Sequence, residues 1–191
     1  KSRRKSKISF YVNYESLKRL PNGFQGEKLG YVKTTEALPK VKGHYSNPHI
    51  SYDGKYWYLS VGFEVEAKEV ELTGESIGID LGVKELAIVS TGKVYKNINK
   101  TSKVKKLKKR LKREQRKVSQ KIEGNIESRD SKRRPKWKRP LKECKNIQRQ
   151  NQKIRLIHKK LTDIRNNHIH QATSEIVKTK PSRIVMENLN V

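Results

Sequence analysis

Two carboxylates sit where apolar strands should end. Asp80 lies in "SIGIDLGVKELAIV" (76–89), and Glu187 lies in "SRIVMENLNV" (182–191). Ile77, Ile79, Leu81 and Val83 alternate as in a buried strand, with Asp80 as the one discordant residue. In the second run Ile184 and Met186 face one way, and Val185 and Glu187 the other. A long helical stretch separates the two runs, so the last strand should return by a crossover and lie parallel to an earlier one. If that neighbour is the first strand, Asp80 and Glu187 stand side by side. Two carboxylates about 4 Å apart repel by about 4 kcal/mol at an effective dielectric of about 20. A proton, an ammonium such as that of Lys84, or a cation would relieve this. A hard divalent cation is the economical answer, and all-oxygen ligation suits Mg²⁺ or Mn²⁺ rather than zinc. The structural alternatives are that Asp80 accepts backbone amides at the "DLG" turn, and that Glu187 ends a strand or caps the element after it.

The elements that must position this pair are legible in outline. Strands are expected at 76–81, 85–90 and 93–98, with Thr91-Gly92 turning the last two into a hairpin. Two helices come next. Val104, Leu107, Leu111, Val118 and Ile122 form the apolar stripe of the first. Ile147, Ile154, Ile157, Leu161, Ile164 and His168 form that of the second. The stripes predict an antiparallel helical pair packed on itself and on the sheet. The intervening 124–142, with Gly124, Pro135 and Pro140, reads as a basic loop with one aromatic, Trp137. Residues 1–75 read as a β-rich region. There "KISFYVNY" is a candidate strand, and Asp53-Gly54 suits a two-residue type I′ turn ahead of the alternating run from Trp57 to Val65. The aromatic cluster of that region reads as core in preference to a base-stacking surface. His168 continues an apolar stripe and reads as a satisfied core histidine. His44, His49, His158 and His170 have no metal-binding spacing.

Charge narrows the partners. The chain has 191 residues, 46 Lys+Arg and 19 Asp+Glu, for a net charge of +27. Residues 1–75 carry 13 basic and 9 acidic side chains, whereas 101–145 carry 20 and 5. Charge this concentrated implies a polyanion, and nucleic acid is the default. Lys105, Lys108, Lys109, Arg113 and Arg116 on the first helix are the candidate backbone contacts, with Arg133, Arg134, Lys136, Trp137 and Arg139 in the loop. Cys144 is the only cysteine, which excludes an intrachain disulfide and fits a reducing compartment. No apolar run approaches the roughly 18 residues that would span a bilayer, and "KSRRKSK" at the start has no apolar segment after it. The absence of an initiator Met and the break at Val191 are expected of a piece of something longer.

"GIDLGVKELAIVSTGKVY" resembles the first RuvC motif of the TnpB (OrfB) proteins encoded by insertion-sequence transposons, and "RIVMENLNV" resembles their second. The resemblance covers residues 76–191, with a looser likeness of 1–75 to the wedge region that precedes RuvC in that family. It implies an α+β protein, with a small barrel-like wedge region at 1–75 and an RNase H-like (RuvC) mixed sheet with a long basic helical pair at 76–191. It also implies a Mg²⁺-dependent DNA endonuclease working with a guide RNA in a prokaryotic cytoplasm, at the nucleoid, with kinship to type V CRISPR effectors. Asp80 and Glu187 match the catalytic aspartate and glutamate. The family's third motif and four-cysteine zinc finger have no counterpart in 1–191, so the domain reads as incomplete. This chain on its own is therefore expected to bind nucleic acid in preference to cutting it. A binding module without catalysis is the main alternative. "GIDLG" also opens the phosphate-binding strand of actin-like ATPases, but those need a hydroxyl-rich turn where Val83-Lys84 stands.

Overall fold

The computed structural model describes residues 8–66 and 69–187; the opening "KSRRKSK" and the last four residues of the "RIVMENLNV" motif lie outside them. The chain divides into two compact units, 1–68 and 69–191. It is a mixed α+β protein.

The first unit holds six strands: β1 (Ile8–Tyr11), β2 (Lys18–Leu20), β3 (Gly23–Gly26), β4 (Gly30–Lys33), β5 (Ser46–Tyr52) and β6 (Trp57–Gly62). They form two antiparallel three-stranded sheets, β1-β5-β6 and β2-β3-β4. Val12, Leu17, Phe24, Tyr45 and Ile50 form the core between them. Gly23 is required there, because a Cβ would come within 2.1 Å of the Val32 carbonyl oxygen. The β5–β6 connection departs from the expected type I′ turn. Gly54 has φ +102° but Asp53 does not have positive φ. Asp53 instead accepts the Lys55 and Tyr56 amides on Oδ1 (2.8 and 2.9 Å), which makes a longer Asx-type loop.

In the second unit β7 (Thr73–Leu81), β8 (Glu85–Val89) and β9 (Val94–Lys96) form an antiparallel meander. Gly92, at φ +86°, turns the last two. A 3-10 turn (Ile98–Lys100) leads to α1 (Ser102–Gly124), where the Thr101 side chain caps the Val104 amide. The segment expected to be a plain loop contains a short hairpin, β10 (Ile126–Arg129) with β11 (Pro135–Trp137). Pro135 is tolerated because it opens its strand. Then α2 (Lys145–Lys178) runs for 34 residues, about 50 Å at 1.5 Å per residue. β12 (Pro181–Met186) comes last and pairs parallel with β7, giving the order β12-β7-β8-β9.

α2 has two jobs along its length. Its last turns bury Ala172 and Ile176 against Ile77, Ile79, Ala87, Val89 and Tyr95 of the sheet. Its middle buries Ile157 and Leu161 against Val104 of α1. Polar bonds fix its register on the sheet. Lys93 pairs with Glu175 at 2.6 Å, Arg165 Nε donates to Asn99 Oδ1 at 3.0 Å, and His168 Nε2 lies 2.9 Å from the Lys96 carbonyl. A carbonyl only accepts, so His168 Nε2 carries the proton, and this histidine is a strut. The Lys93 bond, followed by that from Tyr95, holds Glu175 below the usual carboxylate range, while burial pushes Tyr95 up.

At the helix pair, buried Gln150 donates to Glu114 and accepts from Lys121 Nζ at 3.2 Å. The Gln150 amide, then Lys117, lowers the Glu114 pKa. Stability from a lowered carboxyl is full above its unfolded value, about 4.3, and is lost as pH falls through the folded value. The expected outcome is a melting temperature that drops on acidification below about pH 4, with Glu114→Gln removing part of that slope. Leu161→Ala should destabilise by about 3 kcal/mol in urea unfolding, and an unchanged midpoint would dissociate α2 from α1.

Candidate carboxylate site and nucleic-acid interface

Asp80 is not a buried intruder. Ile77 and Ile79 face α2, while Gly78 and Asp80 face the opposite side of the sheet, where Asp80 is exposed. The β12–β7 register pairs Ile184 with Ile77 and Met186 with Ile79, so Glu187, one residue on, comes opposite Asp80. Adjacent strands lie about 4.8 Å apart. Both residues line one open concavity of about 430 Å³, with Gly78, Ile88, Ser90 and Val185. Gly78 helps create it by presenting no side chain. Ser90 holds its edge, with the Gly78 amide donating to Ser90 Oγ at 3.0 Å. Ser90 was not legible as a site residue, because its place beside Gly78 follows from the β7–β8 register, which pairs Ile79 with Val89 one residue before.

Among the described residues no Lys or Arg lines this concavity, Lys84 included. No third His, Cys, Asp or Glu joins Asp80 and Glu187 among the described residues. The donor set is therefore two adjacent carboxylates, hard oxygen ligands without a counter-charge. That chemistry fits a hard divalent cation completed by water, and does not fit zinc.

The second feature is α1. Val104, Leu107 and Leu111 pack with Ile157, Leu161 and Ile164 of α2, and Val118 is also buried, while most of the cations of α1 are exposed. Lys106, Lys109, Arg110, Lys112, Arg113 and Arg116 line one shallow groove of about 650 Å³.

Residues 59–191 match the family OrfB_IS605, described as "Probable transposase". The chain belongs to this transposase family. It is also 29% identical, over 165 residues, to the "Putative RNA-guided DNA endonuclease InsQ" of Escherichia coli (strain K12). The alignment takes in 86% of this chain but 35% of that protein, so the chain spans about a third of the curated relative.

Within this transposase-family chain the candidate contacts separate into groups. Lys109, Arg113 and Arg116 share the α1 groove; Lys105 and Lys108 are exposed on the same helix outside it. Lys106, Arg110 and Lys112, which charge density alone did not single out, belong to the groove. The helical period that picks out the apolar stripe would have found them if applied to the cations. In the hairpin Trp137 is half-buried opposite Ile126, and Lys136 faces Glu127 at 3.7 Å. Arg133, Arg134 and Arg139 are exposed. No helix among the described residues is long and apolar enough to cross a membrane.

Two neighbouring carboxylates without a counter-charge should cost folding free energy, at most about 1 kcal/mol in a water-like dielectric. Asp80→Asn should therefore unfold in EDTA at the same temperature as the parent or slightly higher. A clear loss of stability would assign Asp80 a structural hydrogen-bonding role.

Proposed function

We propose that this chain is part of a metal-dependent DNA endonuclease of the transposase family, with Asp80 and Glu187 as a RuvC-type carboxylate pair on an RNase H-like sheet. The observation that carries this reading is the parallel β12–β7 register, with both carboxylates lining one concavity that no Lys or Arg among the described residues joins. Mg²⁺ or Mn²⁺ held by Asp80 and Glu187 would supply Lewis-acid stabilisation of a phosphodiester and activation of water. The two side chains themselves hold and orient the ion and set the place where a scissile phosphate can approach. The α1 groove neutralises the nucleic-acid backbone as it passes. The E. coli relative's name describes an RNA-guided DNA endonuclease; by that likeness the polyanion includes target DNA and a guide RNA, and the site of action is the cytoplasm at the nucleoid.

A binding role without cleavage in this chain also has an observation behind it, the absence of a third acidic or histidine ligand among the described residues. Hydrolysis with two ions needs more carboxylate oxygens than two side chains supply. Removing one member of such a constellation usually costs orders of magnitude in rate, because its members act as a unit.

Two measurements test the reading. Mn²⁺ should raise the melting temperature of the 191-residue chain, and Asp80→Asn or Glu187→Gln should abolish the rise. A longer parent chain should cleave DNA with Mg²⁺ and lose this activity on either substitution. Equal thermal shifts in the parent and both variants would remove the carboxylate pair as a metal site. Binding should also be salt-sensitive. If about six phosphates are contacted, log K falls with log[salt] at a slope of about −5. Lys106→Ser with Arg110→Ser and Arg113→Ser should flatten this by about 3, and an unchanged slope would move the interface off α1.

A further inference from the structure

The β10–β11 hairpin grows from the end of α1. Its base is tied by ion pairs and backbone bonds. Arg129 Nη2 lies 2.8 Å from both carboxylate oxygens of Glu123. Asn125 Nδ2 donates to the Arg139 carbonyl at 2.8 Å, and Lys138 Nζ to the Gly124 carbonyl at 3.1 Å. Its tip, 130–134, is closed by Asp130. The Asp130 carbonyl accepts the Arg133 amide at 2.8 Å, and Oδ1 accepts the Arg134 amide at 2.6 Å. The carboxylate is thus engaged by the loop's own backbone.

Three consecutive cations, Lys132, Arg133 and Arg134, occupy this tip. All are exposed, and none has an ion-pair partner among the described residues. Arg133 has φ +57°. In a hairpin loop built this way, a turn ending in one left-handed residue, that position ordinarily belongs to Gly. Arg there is strained, and its neighbours repel it. Lys28 and Lys180 share the backbone region, but neither is flanked by cations on both sides. Charge repulsion and backbone strain therefore coincide at one point held on a hydrogen-bonded base. A residue that violates a local rule at an exposed, over-determined position points to function.

We propose that Lys132–Arg134 is a phosphate-gripping fingertip that binds the phosphodiester backbone of a nucleic acid, at a contact separate from the α1 groove. The three cations outnumber the single Asp130 carboxylate of the tip, so a bound backbone would supply further counter-charge, and the hydrogen-bonded loop would lower the ordering cost of the contact. The proposal rests on the nucleic-acid function proposed for this chain and assigns part of the interface.

The test measures binding of the 191-residue chain to duplex DNA, single-stranded DNA and an RNA–DNA hybrid across a salt series, beside thermal unfolding. The variants are Arg133→Gly, Arg133→Asn, a triple change of Lys132, Arg133 and Arg134 to Ser, Gly and Ser, and the α1 triple as control. Arg133→Gly and Arg133→Asn should unfold no earlier than the parent, because both residues accept the left-handed backbone. They should weaken binding about fivefold at about 0.15 M salt and lower the salt slope by about 1; the triple change should lower it by about 3. The probe most affected identifies the backbone gripped. Parent-like affinity and slope in both Arg133 variants, while the α1 control binds weakly, would overturn the fingertip and leave the α1 interface standing. Weak binding accompanied by earlier unfolding in both Arg133 variants would also overturn it, because Arg133 would then be structural. A parent chain that binds none of the three probes would remove the nucleic-acid function and the fingertip with it.

Discussion

The parallel pairing of β12 with β7 is the constraint on which the second unit depends. An antiparallel partner could have come from a tight turn, but a parallel one cannot, because the chain must first return to the same end of the sheet. Here the return takes the chain from Lys96 to Pro181, through α1, the β10–β11 hairpin and α2. The register then fixes the chemistry. Met186 pairs with Ile79, so the next residue on each strand is a carboxylate. A slip of one residue would reverse the faces of Val185 and Glu187 and separate the pair. The bonds from Lys93, Asn99 and Lys96 to α2 act one step earlier, since they set where α2 ends and β12 can begin.

The same crossover separates charge of opposite sign. In the proposed reading a polyanionic substrate would be attracted by the cations of α1 and repelled by Asp80 and Glu187. Without a cation at the carboxylates, the concavity would disfavour a phosphate. With one, it would become a place where field and geometry agree. This is why the absence of Lys and Arg from its lining matters. An ammonium there would neutralise the pair permanently, whereas an exchangeable cation leaves open coordination positions for the substrate.

Much of this was legible from residue types. Alternation revealed β7 and β12, the apolar stripes gave both helices, and the long helical excursion implied a parallel return. Three features were not legible, each for a physical reason. Asp80 read only as a discordant residue in an apolar strand, because alternation does not say which face a neighbouring helix covers; Ala172 and Ile176 decide that from about ninety positions away. Ser90 joins the site through a backbone bond across the β7–β8 pair, a contact without a sequence signature. The β10–β11 hairpin was hidden because its turn has Arg133 where Gly would have announced it. The Asp53-Gly54 turn failed in the opposite direction, since the aspartate's own carboxylate organised a loop that the dipeptide alone would have made tighter.

The apolar and polar parts of the α1–α2 interface divide the work of presenting the cationic groove. Val104, Ile157 and Leu161 supply burial. Gln150 adds a specific polar contact. It is the only buried polar side chain among the described residues, and it meets both Glu114 and Lys121 of α1. A shift by one turn would leave its amide unsatisfied in the interface, a cost of about 1–3 kcal/mol. The groove is thereby held at a fixed position on α2, and the other end of α2 carries β12 and Glu187. The α1 groove and the carboxylate pair, two of the surfaces proposed to contact a nucleic acid, are spaced by a single continuous helix, so their separation is set by its length and not by flexible linkers.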